Sequence, residues 1–191
     1  TTLETTARLR ASRLQDYYDF RRTAMDELRG EKMKRIVIVP SNDTVKTAEM
    51  MEILQRMKIE ISTASSPFNS QTAHAYDQKN APAAARSFPA GSYVIDLNQP
   101  QKKLIKALME PETPQDAAFV RDNMERFRRN EMRGKNQPRE EYGFYDITAW
   151  NLPLAFGIDA FWTEETGAIS AVPLTPEYLE QARRGSVTGR A

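Results

Sequence analysis

The chain has 191 residues, 40% hydrophobic and 28% charged, which is typical of a globular protein long enough to form a core without disulfides. Its 27 Lys and Arg residues nearly balance 26 Asp and Glu residues, so the charge gives no reason to expect nucleic acid or an anionic membrane as a partner. With no cysteine and one histidine, a thiol nucleophile and a histidine-based zinc site are excluded, and we expect no metal or other cofactor in this chain.

The first predicted element is a long helix over residues 3–29. Its apolar residues recur at steps of three, four or seven and form one stripe, made of Leu3, Ala7, Leu14, Tyr17, Ala24 and Leu28. Gly30 is a natural helix terminator. We therefore interpret residues 1–30 as a helix that links to, or packs on, an upstream domain.

A β-α-β unit is predicted next. Residues 35–39 are almost wholly apolar, as in a strand covered on both faces, and residues 45–57 have a helical pattern. Residues 59–63 alternate like a second strand, and the spacing predicts a parallel crossover. Residues 65–90 are rich in Ser, Asn, Gln, Ala and Pro, and we expect a flap-like loop of about 25 residues or a hairpin there.

The second half predicts alternating helices and strands. Strands are expected at 92–97 and 158–163, and helices at 100–109, 114–134, 146–156 and 177–184. The predicted fold class is α/β, with a small, mostly parallel sheet flanked by helices. Residues 31–176 would form this domain, and residues 177–191 a C-terminal tail.

Few residues are candidates for catalysis. His74 lies in the polar segment and is interpreted as an exposed or hydrogen-bonded loop histidine. Five carboxylates fall near predicted strand ends or helix starts, where α/β domains place ligand sites: Asp96, Glu110, Glu112, Asp146 and Asp159. They leave a carboxylate-only hydrolase open as the least favoured alternative, and we assign no catalytic residue. No apolar stretch approaches the ~20 residues that a membrane span requires.

Two stretches carry a family resemblance. Residues 88–111 begin Phe-Pro-Ala-Gly-Ser-Tyr-Val-Ile-Asp-Leu, and residues 145–157 begin Tyr-Asp-Ile-Thr-Ala-Trp. Together with the long helix and the β-α-β unit, they resemble the region downstream of the catalytic domain in large bacterial proteins of the zinc carboxypeptidase (carboxypeptidase A-like) family. The resemblance implies a periplasmic or secreted parent that hydrolyses peptide or amide bonds near a C-terminus, with zinc in a catalytic domain outside this chain. The His-x-x-Glu zinc motif of that family cannot be placed here, so no catalytic residue carries over.

The leading interpretation is a non-catalytic accessory domain that packs on the parent's upstream peptidase domain. The alternative is a module that binds peptide or another ligand through residues 65–90 and a small surface made of Gln99, Tyr145, Asp146 and Trp150. One observation distinguishes the two interpretations. Binding gains support if one concave pocket is lined by the aromatic residues Tyr76, Phe88, Tyr145 and Trp150.

Overall fold

The described residues form a seven-stranded sheet with helices packed mainly on one face. The structure is a computed structural model that describes residues 2–41, 43–78, 81–112, 115–143 and 151–184. The helices, in chain order, are α1 (Thr2–Glu27) with a 3-10 turn after it (Leu28–Gly30), α2 (Thr44–Arg56), α3 (Lys102–Met109), α4 (Ala117–Met132), α5 (Leu152–Phe156) and α6 (Pro176–Arg184). The strands are β1 (Arg35–Ile38), β2 (Ser62–Ala64), β3 (Phe68–Ala75), β4 (Ala84–Phe88), β5 (Tyr93–Asp96), β6 (Ala160–Thr163) and β7 (Ala171–Pro173).

All neighbouring strands of the sheet are antiparallel, in the order β4-β3-β6-β1-β5-β2-β7. The prediction of a mostly parallel sheet is therefore wrong. The crossover through α2 leaves β1 and β2 running in the same direction, but β5 lies between them and pairs antiparallel with both. The local pattern of residues 35–63 indicates strand, helix and strand, and it carries no information about a later strand that inserts between the two.

The segment predicted as a flap-like loop or a hairpin is a hairpin at the edge of the sheet. β3 pairs with β4 on one side and, through Ala73–Ala75, with β6 on the other. The register of β3 and β4 shifts between Ser70 and Ala73, which marks a bulge. Four of the five residues of β4 are exposed, so this edge strand lacks the apolar alternation that identifies a strand in a sequence.

The two faces of the sheet have separate apolar clusters. On one face, Ile36 and Ile38 of β1 pack with buried residues of α2, α3 and α6, among them Met51, Ile105 and Leu179. On the other face, Val37 packs in a smaller cluster with Ala73, Phe88 and Phe161. Side chains along β1 alternate between the two faces of the sheet. Because an apolar cluster covers each face, residues 35–38 are all buried.

Most helix positions agree with the sequence pattern. Asp43 caps α2 through Lys46 N, and Asp116 caps α4 by accepting hydrogen bonds from Ala118 N and Phe119 N. The helix predicted over 146–156 is present as α5 from residue 152, and residues 144–150 lie outside the described part of the chain. Within the described residues, none of the helices has the combination of length and apolarity that a membrane crossing needs.

Candidate binding groove

A groove of about 530 Å³ opens on the helix-covered face of the sheet, beside the end of β3. Its walls come from the link between α1 and β1, from β3 and β6, and from the end of α3. The described residues that line it are Glu31, Lys32, Met33, His74, Ala75, Tyr76, Gln78, Ala81, Lys106, Glu110, Pro111, Glu112, Leu154 and Trp162. A volume of this size is in the range of small-molecule sites, which span roughly 300–1,000 Å³.

His74 forms one side of the groove. It lies in β3, opposite Trp162 of β6, and the two rings stack with centroids 3.7 Å apart and planes inclined by 6°. Its Nε2 atom is 3.1 Å from Oε1 of Glu164. His74 is thus a half-buried strand residue with a hydrogen-bond partner, rather than a residue of a polar loop.

An ion-pair network forms the opposite side. Lys106 Nζ lies 2.8 Å from Glu31 Oε2 and 3.4 Å from Glu110 Oε1, and Lys102 Nζ lies 2.6 Å from Glu31 Oε1. Burial alone would raise the pKa of Glu31, but hydrogen bonds from Lys102 and Lys106 outweigh burial and lower that pKa. Burial acts in the opposite direction on Lys106 and alone would lower its pKa, but the hydrogen bond to Glu31 and the charge of Glu110 raise that pKa. Both groups therefore stay charged and paired at neutral pH.

Tyr76 lies between these two sides and is 6% exposed. Its main-chain N–H donates to Ala160 O, which extends the pairing of β3 with β6. Its hydroxyl is buried and has no hydrogen-bond partner within the described residues. Burial, with a smaller contribution from the charge of Glu110, raises the pKa of Tyr76 well above its usual range, so the hydroxyl keeps its proton. An unpaired buried hydroxyl costs about 1–3 kcal/mol.

The arrangement is suited to binding through hydrogen bonds. The groove combines paired ammonium and carboxylate groups with the apolar side chains of Met33, Pro111 and Leu154. In the described part of the chain, no three His, Asp or Glu side chains come together as potential metal ligands.

Of the four residues predicted to form a ligand surface, the structure describes Gln99. Gln99 is buried, and its amide is fully engaged with the backbone: Oε1 accepts from Glu60 N at 2.8 Å, and Nε2 donates to Glu60 O at 3.1 Å and to Asp96 O at 2.7 Å. Gln99 therefore joins the end of β5 to the segment before β2. Tyr145, Asp146 and Trp150 lie outside the described residues.

The predicted carboxylates do not form one cluster. Glu110 and Glu112 line the groove, whereas Asp96 is on the other face of the sheet, where it accepts a hydrogen bond from Arg35 at 3.2 Å. Asp159 is exposed before β6, and Asp146 is outside the described part of the chain.

The aromatic residues that were expected to line one pocket if the chain is a binding module are also separated. Tyr76 belongs to the larger apolar cluster, and Phe88 belongs to the smaller cluster on the opposite face, so the two cannot share a pocket. The other two, Tyr145 and Trp150, are among the residues that the structure does not describe. Tyr76 was named in advance as a possible pocket residue and does line the groove, whereas Trp162 and Lys106 were not predicted there. The usable signals were the two-residue spacing of His74 and Tyr76 and the four-residue spacing of Lys102 and Lys106.

A second surface is the exposed part of α1. The stripe seen in the sequence divides in two: Ala24 and Leu28 are buried against the domain, whereas Leu3, Leu14 and Tyr17 are 84%, 68% and 60% exposed. The last turns of α1 are held to α3 and to the residues just before it, because Lys103 Nζ lies 3.6 Å from Glu27 Oε1 and Arg21 Nη1 donates to Pro100 O at 3.3 Å.

Comparisons with known proteins gave no match, whether with family models, with curated proteins or with solved structures. The resemblance to zinc carboxypeptidases therefore rests on the sequence motifs alone. Of these motifs, residues 88–111 form the end of β4, β5 and α3, and most of the second motif, residues 145–150, lies outside the described part of the chain.

Proposed function

We propose that the chain is a non-catalytic accessory domain that packs the first four turns of α1 against a neighbouring protein domain. The observation that carries this proposal is the divided stripe of α1, in which one continuous row of apolar residues is buried at its C-terminal end and exposed over the rest. A row of this kind is typical of a packing face.

The energetics of α1 support a partner. Residues 2–18 are exposed throughout, and an isolated helical segment of this length is marginally stable in water. Leu3, Leu14 and Tyr17 would each contribute about 1.5–3 kcal/mol if fully buried against another surface. Packing on a neighbouring domain would therefore stabilise both the helix and the assembly.

Within this proposal, the partner is the peptidase domain of a zinc carboxypeptidase-like parent. The support is the resemblance of residues 88–111 and 145–157 to the downstream region of such proteins. The parent would hydrolyse peptide or amide bonds near a free C-terminus, with zinc held outside this chain. A periplasmic or secreted location belongs to the same proposal.

The test is a pair of charge substitutions on opposite sides of α1. Leu14→Glu with Tyr17→Glu places two charges on the stripe, and Thr5→Glu with Ser12→Glu places two on the opposite, equally exposed side. In the isolated chain we expect both pairs to leave Tm within about 3 °C of the wild type, because surface changes are usually within about 0.5 kcal/mol. In the protein isolated from its native cells, we expect the stripe pair alone to lower Tm.

Equal behaviour of the two pairs in the native protein would contradict the packing role. The peptidase partner has its own test, because native protein should release C-terminal residues from a peptide and lose that activity on treatment with a zinc chelator. If the stripe pair acts as expected but no release occurs, the accessory role stands and the carboxypeptidase parent is rejected.

A further inference from the structure

We propose that a pocket between α2, β5 and α6 binds a neutral sugar, which hydrogen-bonds the hydroxyls of Tyr93 and Tyr178 and packs its C–H surface on the Tyr178 ring. The pocket has a volume of about 420 Å³ and shares no lining residue with the groove beside β3. The described residues that line it are Pro40, Ser41, Thr44, Thr47, Ala90, Gly91, Tyr93, Tyr178, Gln181 and Ala182. None of them belongs to α1, so this inference does not depend on the proposed role of that helix.

The described lining of the pocket carries no charge. All of these residues are uncharged, in a chain of which 28% of the residues are charged. A charged ligand that lost its water here would find no opposite charge in this lining, and burial of an unpaired charge is costly. The N-terminal end of α2 would attract an anion, but the Asp43 carboxylate already occupies it and accepts a hydrogen bond from Lys46 N at 3.0 Å. The lining is therefore suited to a neutral ligand.

Two tyrosine hydroxyls lie at the wall of the pocket. Neither Tyr93 nor Tyr178 has a hydrogen-bond partner for its hydroxyl within the described residues. Tyr93 is 5% exposed, but its oxygen is not among the buried atoms that lack a partner, as that of Tyr76 is, so the exposed part of Tyr93 includes the hydroxyl. The Tyr178 hydroxyl lies beside Gly91, where an added Cβ would be 3.9 Å from its oxygen. A ligand in the pocket can reach both oxygens.

The polar groups of the pocket require a ligand that both donates and accepts hydrogen bonds. The hydroxyls of Ser41 and Thr47 donate to Asp43 O at 3.0 Å and 3.1 Å, so each offers a ligand only its lone pairs. Burial, with a smaller contribution from Tyr178, raises the pKa of Tyr93 to about 12, so its hydroxyl keeps its proton and can donate or accept. Neighbouring hydroxyls on a sugar supply both kinds of group, whereas a lone carbonyl or ether oxygen can only accept.

Tyr178 also supplies apolar surface. It is 39% exposed, and its ring meets that of Tyr93 edge to face, with centroids 6.2 Å apart and planes inclined by 86°. This contact fixes the position of the ring and leaves part of its surface open. A sugar ring has C–H groups that pack on aromatic surface as well as hydroxyls at its edge. The volume of the pocket is within the roughly 300–1,000 Å³ of small-molecule sites.

The probes are the methyl glycosides of glucose, galactose and mannose, each titrated into the full chain while backbone amide resonances are followed by NMR. We expect at least one of them to bind with a Kd of about 1–10 mM, as is usual for so small a molecule, and to shift the resonances of Thr44, Gly91 and Tyr178. The methyl glycosides of glucuronic acid and glucosamine are charged molecules of nearly the same size. They should bind at least about tenfold more weakly than the best neutral sugar, because the lining offers no opposite charge.

The variants Tyr93→Phe and Tyr178→Phe separate binding from folding. Because neither hydroxyl has a partner within the described residues, we expect each variant to keep its Tm within about 3 °C of the wild type. Each should bind the sugar about three- to tenfold more weakly, because one hydrogen bond is lost. Tyr18→Phe is the matched control, because Tyr18 is exposed on α1 outside the pocket and its substitution should leave binding unchanged.

Four results would overturn the proposal. All three neutral glycosides could fail to give saturable shifts at the pocket, or a charged glycoside could bind as tightly as the best neutral one. Either phenylalanine variant could retain the full affinity of the wild type. A Tm more than about 4 °C below the wild type for both variants would show that the hydroxyls are needed by the fold itself.

Discussion

Lys102 and Glu31 form a short ion pair at the base of α3, with 2.6 Å between Lys102 Nζ and Glu31 Oε1. The Lys102 side chain is 1% exposed, whereas that of Glu31 is 24% exposed and also binds Lys106 at 2.8 Å. Glu31 thus joins the segment between α1 and β1 to two successive turns of α3. The segment between α1 and β1 also forms one wall of the groove. The ion pair therefore connects the position of α1 to the shape of the candidate binding site.

The difference in burial between Lys102 and Glu31 gives a first prediction. Glu31→Gln should destabilise the chain by about 2–4 kcal/mol, because it leaves the buried Lys102 ammonium with Glu27, at 3.6 Å, as its remaining carboxylate. Lys102→Met should cost less, since an apolar side chain of similar length fills the same buried space. Urea unfolding of both variants measures the difference. A larger loss for Lys102→Met would contradict this account of the pair.

The lowered pKa of Glu31 predicts a pH dependence. Because the pKa of Glu31 in the folded chain lies below its ordinary value of 4.5, the unfolded chain binds the proton more readily as the pH falls. The stabilisation from Glu31 is therefore fully present above about pH 5 and is lost as the pH falls through the folded-state pKa. The difference in unfolding free energy between the wild type and Glu31→Gln should shrink from pH 6 towards about pH 3. The exposed Glu131→Gln is the control, and its difference from the wild type should stay near zero.

Substitution of Gln99, which was predicted to bind a ligand, tests whether its side-chain amide stabilises the fold instead. Gln99→Leu removes the partners of Glu60 N, Glu60 O and Asp96 O, and we expect a loss of about 2–4 kcal/mol. Gln181→Leu, at an exposed position on α6, should change stability by less than about 0.5 kcal/mol. Thermal or urea unfolding compares the two variants. Wild-type stability for Gln99→Leu would mean that its amide is available for a ligand after all.

The edge hairpin gives a prediction on the opposite face of the sheet. Phe88 is fully buried and contacts Phe68 and Phe161, with ring centroids 5.1 Å and 5.5 Å away. Phe88→Ala should destabilise the chain by about 3–5 kcal/mol, because it leaves a cavity in the smaller apolar cluster. Phe127→Ala on α4 should cost less than about 1 kcal/mol, because Phe127 is half exposed. Equal effects in urea unfolding would show that residues 84–88 do not pack as an integral strand.

Local sequence patterns were sufficient for most helices and for the central strands. The periodicity of α1 and α2 and the apolar runs of β1, β5 and β6 located these elements to within a few residues. Each of these signals arises from neighbours along the chain and from burial on one or both faces.

The order of the strands could not be read in the same way. The antiparallel sheet depends on β5 inserting between β1 and β2, and this choice is made by side chains more than 30 residues apart, as the pairing of Ile36 with Ile95 illustrates. The sequence left residues 65–90 open between a flap-like loop and a hairpin, because an exposed edge strand such as β4 has no apolar alternation. The groove was missed for a related reason: Tyr76, Lys106 and Trp162 are far apart in sequence, and the sheet and α3 bring them together.

The exposed stripe of α1 is tested most directly by hydrogen–deuterium exchange. In the isolated chain, the amides of residues 3–18 should exchange rapidly, because this part of the helix lacks packing partners among the described residues, whereas those around Ala24 and Leu28 should be protected. In the protein isolated from its native cells, the account predicts at least about tenfold slower exchange over residues 3–18, because a neighbouring domain covers the stripe. Equally rapid exchange of residues 3–18 in both samples would contradict the accessory-domain function.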